Sequence, residues 1–305
     1  MARQLCQRSV DMRRAYGFTL VELIVVIVII GIIAGTVTIY VGPAIQSYLD
    51  VKRRANLTDL ADGAVRGMMR DIRSAVANSI NVPNDQCFEL VPASMGGRYR
   101  TAPNTTWDAA ANAANKTQWV NTAVDTTVFD VMALTPANTA PVAGDYVVIN
   151  NQTATDVYAA ASTSRSAITN VEELPAANKL GLYRLTIGAL KIDTGYDNAR
   201  FAIVPASQQA VFYVCSGATG VNTSGDGKGT LYRFSKYGFA QNTSCPTPTS
   251  STPIVATKVE KCTFVYDPNS GTPTLYTGYM QLKVKLTENN QSVQILVGTH
   301  TDNTP

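Results

Sequence analysis

Histidine is almost missing from this chain: His300 is the only one in 305 residues, and it stands close to the C-terminus. That excludes metal sites built on two imidazoles, and it leaves any Ser-His-Asp or Cys-His device dependent on a residue in a chain end. No C-x-x-C pair occurs, so a thiolate zinc site lacks its usual spacing. Charge is scarce as well. Only 15% of residues are Asp, Glu, Lys or Arg, too few for a disordered tail protein or for a nucleic-acid binder carried by a basic face. The formal net charge of +3 is also local. Residues 1–17 hold Arg3, Arg8, Arg13 and Arg14 against Asp11, which accounts for the whole excess and leaves the rest of the chain neutral. A neutral body exerts no long-range pull on polyanions. No repeat of fixed period appears.

What the sequence has in quantity is apolar residues, 45% of the total, and one long run of them. From Leu23 to Ala34 every residue is apolar or glycine, and only Thr36 and Thr38 interrupt up to Val41. Phe18 to Val41 as a helix is about 36 Å long, enough to cross a hydrocarbon core of ~30 Å. No A-x-A cleavage site follows the run, unlike a secretory signal. The arginines precede it, so the expected topology is a cytoplasmic N-terminus with everything after Val41 outside. Gly31 and Gly35 form G-x-x-x-G, a spacing that lets helices approach and that is also common in membrane helices generally. A carboxylate at the head of such a run, Glu22, is costly to bury unpaired and marks a functional position.

The junction Gly17-Phe18-Thr19-Leu20-Val21-Glu22, behind a basic segment and ahead of the apolar run, resembles the class III signal of type IV pilins and type II secretion pseudopilins. The resemblance implies a leader of residues 1–17 cut after Gly17 by a prepilin peptidase and N-methylation of Phe18. It also implies an assembly role for Glu22 opposite the N-terminal amine of a neighbouring subunit. Seventeen residues is long for such a leader, and Met12 offers a second start, MRRAYG, that would omit Cys6. Implied partners are other major and minor pilins through helix packing, the peptidase, an inner-membrane assembly platform and the lipid bilayer. Nucleic acid, cofactor, metal and catalytic residues are not expected. Implied localisation is the bacterial inner membrane with the domain periplasmic, then the pilus.

Pro43 is expected to kink the helix. Beyond it Leu57, Leu60, Ala61, Ala64, Val65, Met68, Ile72, Ala75 and Val76 recur at helical spacing, with Lys52, Arg53, Arg54, Asp59, Asp62, Arg66, Arg70, Asp71 and Arg73 on the other faces. The helix is therefore expected over 18–80. From Asn81 to Pro305 the period switches to two, most clearly in the alternation of Met280, Leu282, Val284 and Leu286 followed by Val293 to Val297, a hairpin. Further strands are expected at Cys87–Val91, Val128–Leu134, Tyr146–Ile149, Leu182–Ile187, Val211–Cys215, Thr230–Ser235 and Val259–Tyr266, with loops at Thr101–Ala123, Thr135–Pro141 and Cys245–Pro253. A long N-terminal transmembrane and amphipathic helix packed on a C-terminal antiparallel β-sheet domain makes the fold class α+β.

Within this domain Gly229-Thr230-Leu231-Tyr232-Arg233, Cys262-Thr263-Phe264-Val265-Tyr266 and the closing Thr301-Asp302-Asn303-Thr304-Pro305 resemble minor pilins of the mannose-sensitive haemagglutinin pilus system; the minor pseudopilin J of type II secretion is close. That resemblance implies a subunit that primes or tips a type IV filament. A membrane-anchored binding protein or enzyme is the alternative, though an anchor needs neither Gly17-Phe18 nor Glu22. Cys87, Cys215, Cys245 and Cys262 are even in number and on the oxidising side, so two disulfides are expected. Three pairings are open; closure of the loop-rich segment around Gly220–Gly229 favours Cys215–Cys245 with Cys87–Cys262. That glycine-rich segment is no phosphate loop, since Asn222 and Gly229 replace the required glycine and hydroxyl, and no calcium loop, since Arg233 holds the twelfth position. It reads as a polar hairpin turn. Glu172-Glu173 and Asp193 with Asp197 read as solvated acids, and Trp107 and Trp119 as strand and core residues rather than a sugar-binding face.

Overall fold

The computed structural model describes residues 17–110, 115–137, 139–175, 180–192, 199–268 and 277–303. The expected leader up to Tyr16, with Cys6 and Met12, and the acids Asp193 and Asp197 lie outside the described residues. Two compact units are present, residues 1–52 and 53–305.

The first unit holds the apolar part of helix α1, which runs Leu20–Arg73 with Pro43 inside it. Its side chains from Phe18 to Val41 are exposed, and this segment is long and apolar enough to cross a membrane. Thr36 and Thr38 donate their hydroxyls to the carbonyls of Ile33 (2.9 Å) and Ala34 (2.8 Å), so neither presents an unpaired donor to lipid. Nothing stands within 4 Å of a Cβ built at Gly31 or Gly35.

In the second unit the rest of α1 buries one stripe, Leu57, Ala61, Ala64, Val65, Met68 and Ile72. Helical geometry ends at Arg73 rather than near Ile80. From Ser74 the backbone turns to pair with another segment: the N–H of Val76 donates to the Val91 carbonyl (2.8 Å) and that of Ala93 to the Ser74 carbonyl (2.8 Å). Val76 and Ile80 keep their buried positions in that non-helical exit, which turns at Asn78. Apolar spacing alone does not distinguish the two conformations.

Thirteen strands follow among the described residues: β1 (Asn81–Asn84), β2 (Cys87–Leu90), β3 (Met95–Tyr99), β4 (Thr126–Thr135), β5 (Tyr146–Ile149), β6 (Arg165–Glu173), β7 (Tyr183–Leu190), β8 (Arg200–Val204), β9 (Val211–Ser216), β10 (Gly229–Phe234), β11 (Ile254–Asp267), β12 (Thr277–Glu288) and β13 (Gln291–Asp302). A five-residue helix, Thr105–Ala109, lies within the expected loop 101–123. Two antiparallel structures result. A seven-stranded sheet has the order β1-β2-β9-β10-β11-β12-β13, and β3-β4-β7-β6-β5-β8 close into a barrel. The barrel is one insertion between β2 and β9. The fold is α+β, as the change of period implied.

The sheet packs its inner face on the α1 stripe, with Phe88, Tyr213, Phe264, Met280 and Leu282 buried against it. Phe88 stacks on Tyr213 and meets Phe264 edge-on, both at 5.0 Å between centroids. The barrel has its own core, in which Phe129 packs on Phe201 at 5.7 Å. The 220–229 segment is the expected turn between β9 and β10. Asn222 Oδ1 accepts the N–H groups of Ser224 and Asp226, and the turn docks on the next hairpin through Asn289 N–H to Asp226 Oδ1, 2.8 Å. Glu172 and Glu173 are exposed on β6, as read from the sequence.

The disulfides join Cys87 to Cys245 and Cys215 to Cys262, with Cα separations of 5.8 and 6.3 Å, which corrects the expected pairing. The reason is the two-residue period of the strands. Cys215 and Cys262 point into the core under α1. Cys87 lies on the opposite face with Phe212 and Val214, beside Cys245. Cys87 and Cys262 thus sit on different sides of one sheet. Peptide mapping of unreduced protein should recover these two pairs, and each should contribute about 2–4 kcal/mol in the loop-entropy model. A Cys215–Cys245 peptide would contradict the sheet register.

Candidate functional site

The residues singled out at the N-terminus meet in the first turn of α1. Gly17, Phe18 and Thr19 precede the helix, so the Gly17–Phe18 peptide bond is non-helical, and Phe18 is 85% exposed. A bond in that setting can enter an extended peptidase cleft without unwinding a turn. Thr19 is the cap. Its N–H and its hydroxyl both donate to Glu22 Oε2, at 2.9 and 3.0 Å, and its Oγ1 accepts the Glu22 N–H at 3.2 Å. This is a reciprocal capping box, in which N-cap threonine and N3 glutamate each satisfy a donor the helix leaves open. The acid also complements the positive end of the helix dipole.

Both Thr19 bonds go to Oε2, and Oε1 has no partner among the described residues. Glu22 can therefore cap its own helix and still accept a further donor. Sequence reasoning placed Glu22 and overlooked Thr19, although T-x-x-E before an apolar run is a capping signature.

Asp71 was expected on a solvated face. It is instead 9% exposed on the buried stripe, because it has partners there. Its Oδ2 accepts from the Tyr213 hydroxyl (2.8 Å) and from Arg233 Nε (3.0 Å) and Nη2 (2.9 Å), while Arg233 Nη2 also reaches Gln208 Oε1 at 2.7 Å. Burial, then the Asp71 charge, pushes the Tyr213 hydroxyl above its ordinary range, so it stays protonated and donates. The set ties the last turn of α1 to β9 and β10. The four described cysteines are spent in the two disulfides, and among the described residues no cluster of three His, Cys, Asp or Glu side chains could hold a metal. Trp107 and Trp119 are half-buried in the segment before β4.

Comparison with known proteins locates its signal at the same end of the chain. No curated protein and no solved structure matches. The model of the prokaryotic N-terminal methylation motif matches residues 12–38, which take in Gly17, Phe18, Glu22 and most of the apolar run. That motif, on a helix able to span a membrane, supports a type IV pilin-like protein, processed by prepilin peptidase and assembled with other pilins.

Proposed function

We propose that this chain is a minor pilin, a non-catalytic subunit that primes or tips assembly of a type IV pilus of the mannose-sensitive haemagglutinin kind. It is held in the inner membrane by α1, with its N-terminus cytoplasmic and its β-rich domain periplasmic. The observation that carries this reading is the junction of a non-helical Gly17–Phe18 bond with a Thr19–Glu22 cap at the head of an apolar helix. Cleavage there creates a cationic amine in the same layer as a carboxylate that keeps one oxygen open. A neighbour's amine is its natural partner, and pairing in low dielectric fixes axial register. The large domain supports a minor role, since bulk of this size is hard to repeat at every position of a close-packed filament.

Cleavage between Gly17 and Phe18 is the test. N-terminal sequencing or intact mass of the membrane-extracted protein should give a mature chain beginning with N-methylated Phe18. A chain retaining Tyr16-Gly17, or one cut beyond Ala34, would overturn the pilin reading. A type II secretion pseudopilin would share this N-terminus. Deletion that abolishes exoprotein secretion while leaving surface filaments intact would select it instead.

A further inference from the structure

The two edges of the seven-stranded sheet are unlike. β1 is four residues long and contains Pro83, a blunted edge. β13 is twelve residues long, and from Gln291 to Thr299 it has no proline and no charge. Edges of that kind are normally protected, because their free N–H and C=O groups recruit other strands.

The free groups can be identified from the register. Glu288 pairs with Gln291 across a two-residue turn, Asn289-Asn290, whose φ values are 48° and 62°. The Thr287 carbonyl accepts from Gly227 N–H at 2.8 Å, so it faces away from its partner Ser292. Antiparallel pairs alternate between bonded and non-bonded. Ser292, Gln294, Leu296 and Gly298 therefore direct their N–H and C=O groups to the open side, where no backbone partner occurs among the described residues.

Beside that open edge a groove lies between α1 and β13 at Val297. Arg54 reaches Gln291 (2.7 Å) and Arg73 reaches Thr299 (3.0 Å), so helix and strand lie side by side over this length. The groove has a volume of about 750 Å³, an apolar floor of Val65, Met69 and Val297, and a rim of Arg66, Arg70 and Arg73. Arg66 is paired with Asp62; Arg70 and Arg73 have no carboxylate partner among the described residues.

We infer that β13 is a docking edge for an extended, acidic segment of a partner protein, which adds as an eighth strand and lays its acids against Arg70 and Arg73. Main-chain pairing supplies the affinity, and alternate side chains entering the groove supply the specificity. A second copy fits poorly, because β13 paired with β13 about a two-fold axis sets one arginine row against the other. The inference does not depend on the pilin reading, since the edge and the groove belong to the folded domain.

The test uses the full chain in detergent and a labelled Glu-Val-Glu-Val-Glu-Val peptide, compared with its Lys-Val counterpart and with a version N-methylated on alternate amides. Fluorescence anisotropy should register binding of the first peptide alone, and hydrogen exchange should slow at Ser292, Gln294, Leu296 and Gly298. The on-rate for the unsubstituted protein should fall as salt rises, and Arg70→Glu, an exposed substitution, should weaken binding roughly tenfold. Leu296→Pro removes one outward N–H that the ladder does not use and should abolish binding. Equal binding of the lysine or N-methylated peptide, no binding of the acidic one, or binding with unchanged exchange at the four amides would each overturn the proposal.

Discussion

Glu22→Gln should leave the protein folded, inserted and cleaved, yet largely absent from filaments. A glutamine at the third helical position still accepts from Thr19 and so preserves the capping box, whereas it cannot balance a cationic amine on a neighbouring subunit. Glu22→Ala removes both functions at once, and its failure would not say which one mattered. The pair of variants therefore separates a local role from an assembly role. Both lose a charge from the apolar segment, so membrane levels should match or slightly exceed wild type. The readout is the amount that co-purifies with sheared filaments or with other minor subunits, divided by total membrane level. Under the assembly reading Glu22→Gln falls at least about tenfold, because a buried amine is left without its counter-charge. If Glu22→Gln enters filaments normally and only Glu22→Ala fails, the carboxylate is a helix cap and nothing more. The pilin reading would then rest on cleavage alone.

The parts of the fold legible in the sequence are those whose pattern is local. The apolar run, the helical stripe of Leu57 to Ile72 and the alternation of β12 and β13 each follow from one period repeated over a few turns or residues. Of the four strands that escaped notice, β8 (Arg200–Val204) carries the alternation in only five residues, and the other three lack it. β1 contains Pro83, and β6 is polar along most of its length. β3 begins Met95-Gly96-Gly97, which reads as a turn. Gly97 is there for space: a Cβ on it would stand 2.6 Å from the Phe201 ring and still closer to the Ala133 carbonyl. Closure of six strands into a barrel depends on pairings such as β3 with β8, about a hundred residues apart, which no local period encodes. The disulfides failed for a related reason. Loop length favoured one pairing, whereas the face on which each cysteine falls is fixed by a register that the sequence alone does not state. Asp71 failed because a charge on a buried stripe is intelligible only with Arg233 and Tyr213, more than a hundred residues on.

Asp130→Ala should loosen the barrel while the seven-stranded sheet holds. Asp130 sits in β4 with its side chain fully buried. Its carboxylate accepts from Arg184 Nε at 2.8 Å and from the Gln118 N–H at 2.9 Å, and Arg100 Nε stands 3.5 Å away. Each arginine also grips a separate segment, Arg100 the Leu180 carbonyl (2.6 Å) and Arg184 the Lys116 carbonyl (2.8 Å). One aspartate thus ties the segments before β4 and β7 to the barrel wall. Removing it strands two guanidiniums that are only 12% and 13% exposed, a loss that typically costs about 3–5 kcal/mol. Asp130→Asn keeps the shape and the Gln118 bond and should cost less. Because the barrel is an insertion, hydrogen exchange should report the damage regionally, with amides of β4 and β7 losing protection and those of β11 to β13 keeping theirs. Loss of protection throughout would mean that barrel and sheet unfold as one unit. Unchanged protection in β4 and β7 would mean that the arginines find water or other acceptors, and that the clasp contributes little to the barrel's stability.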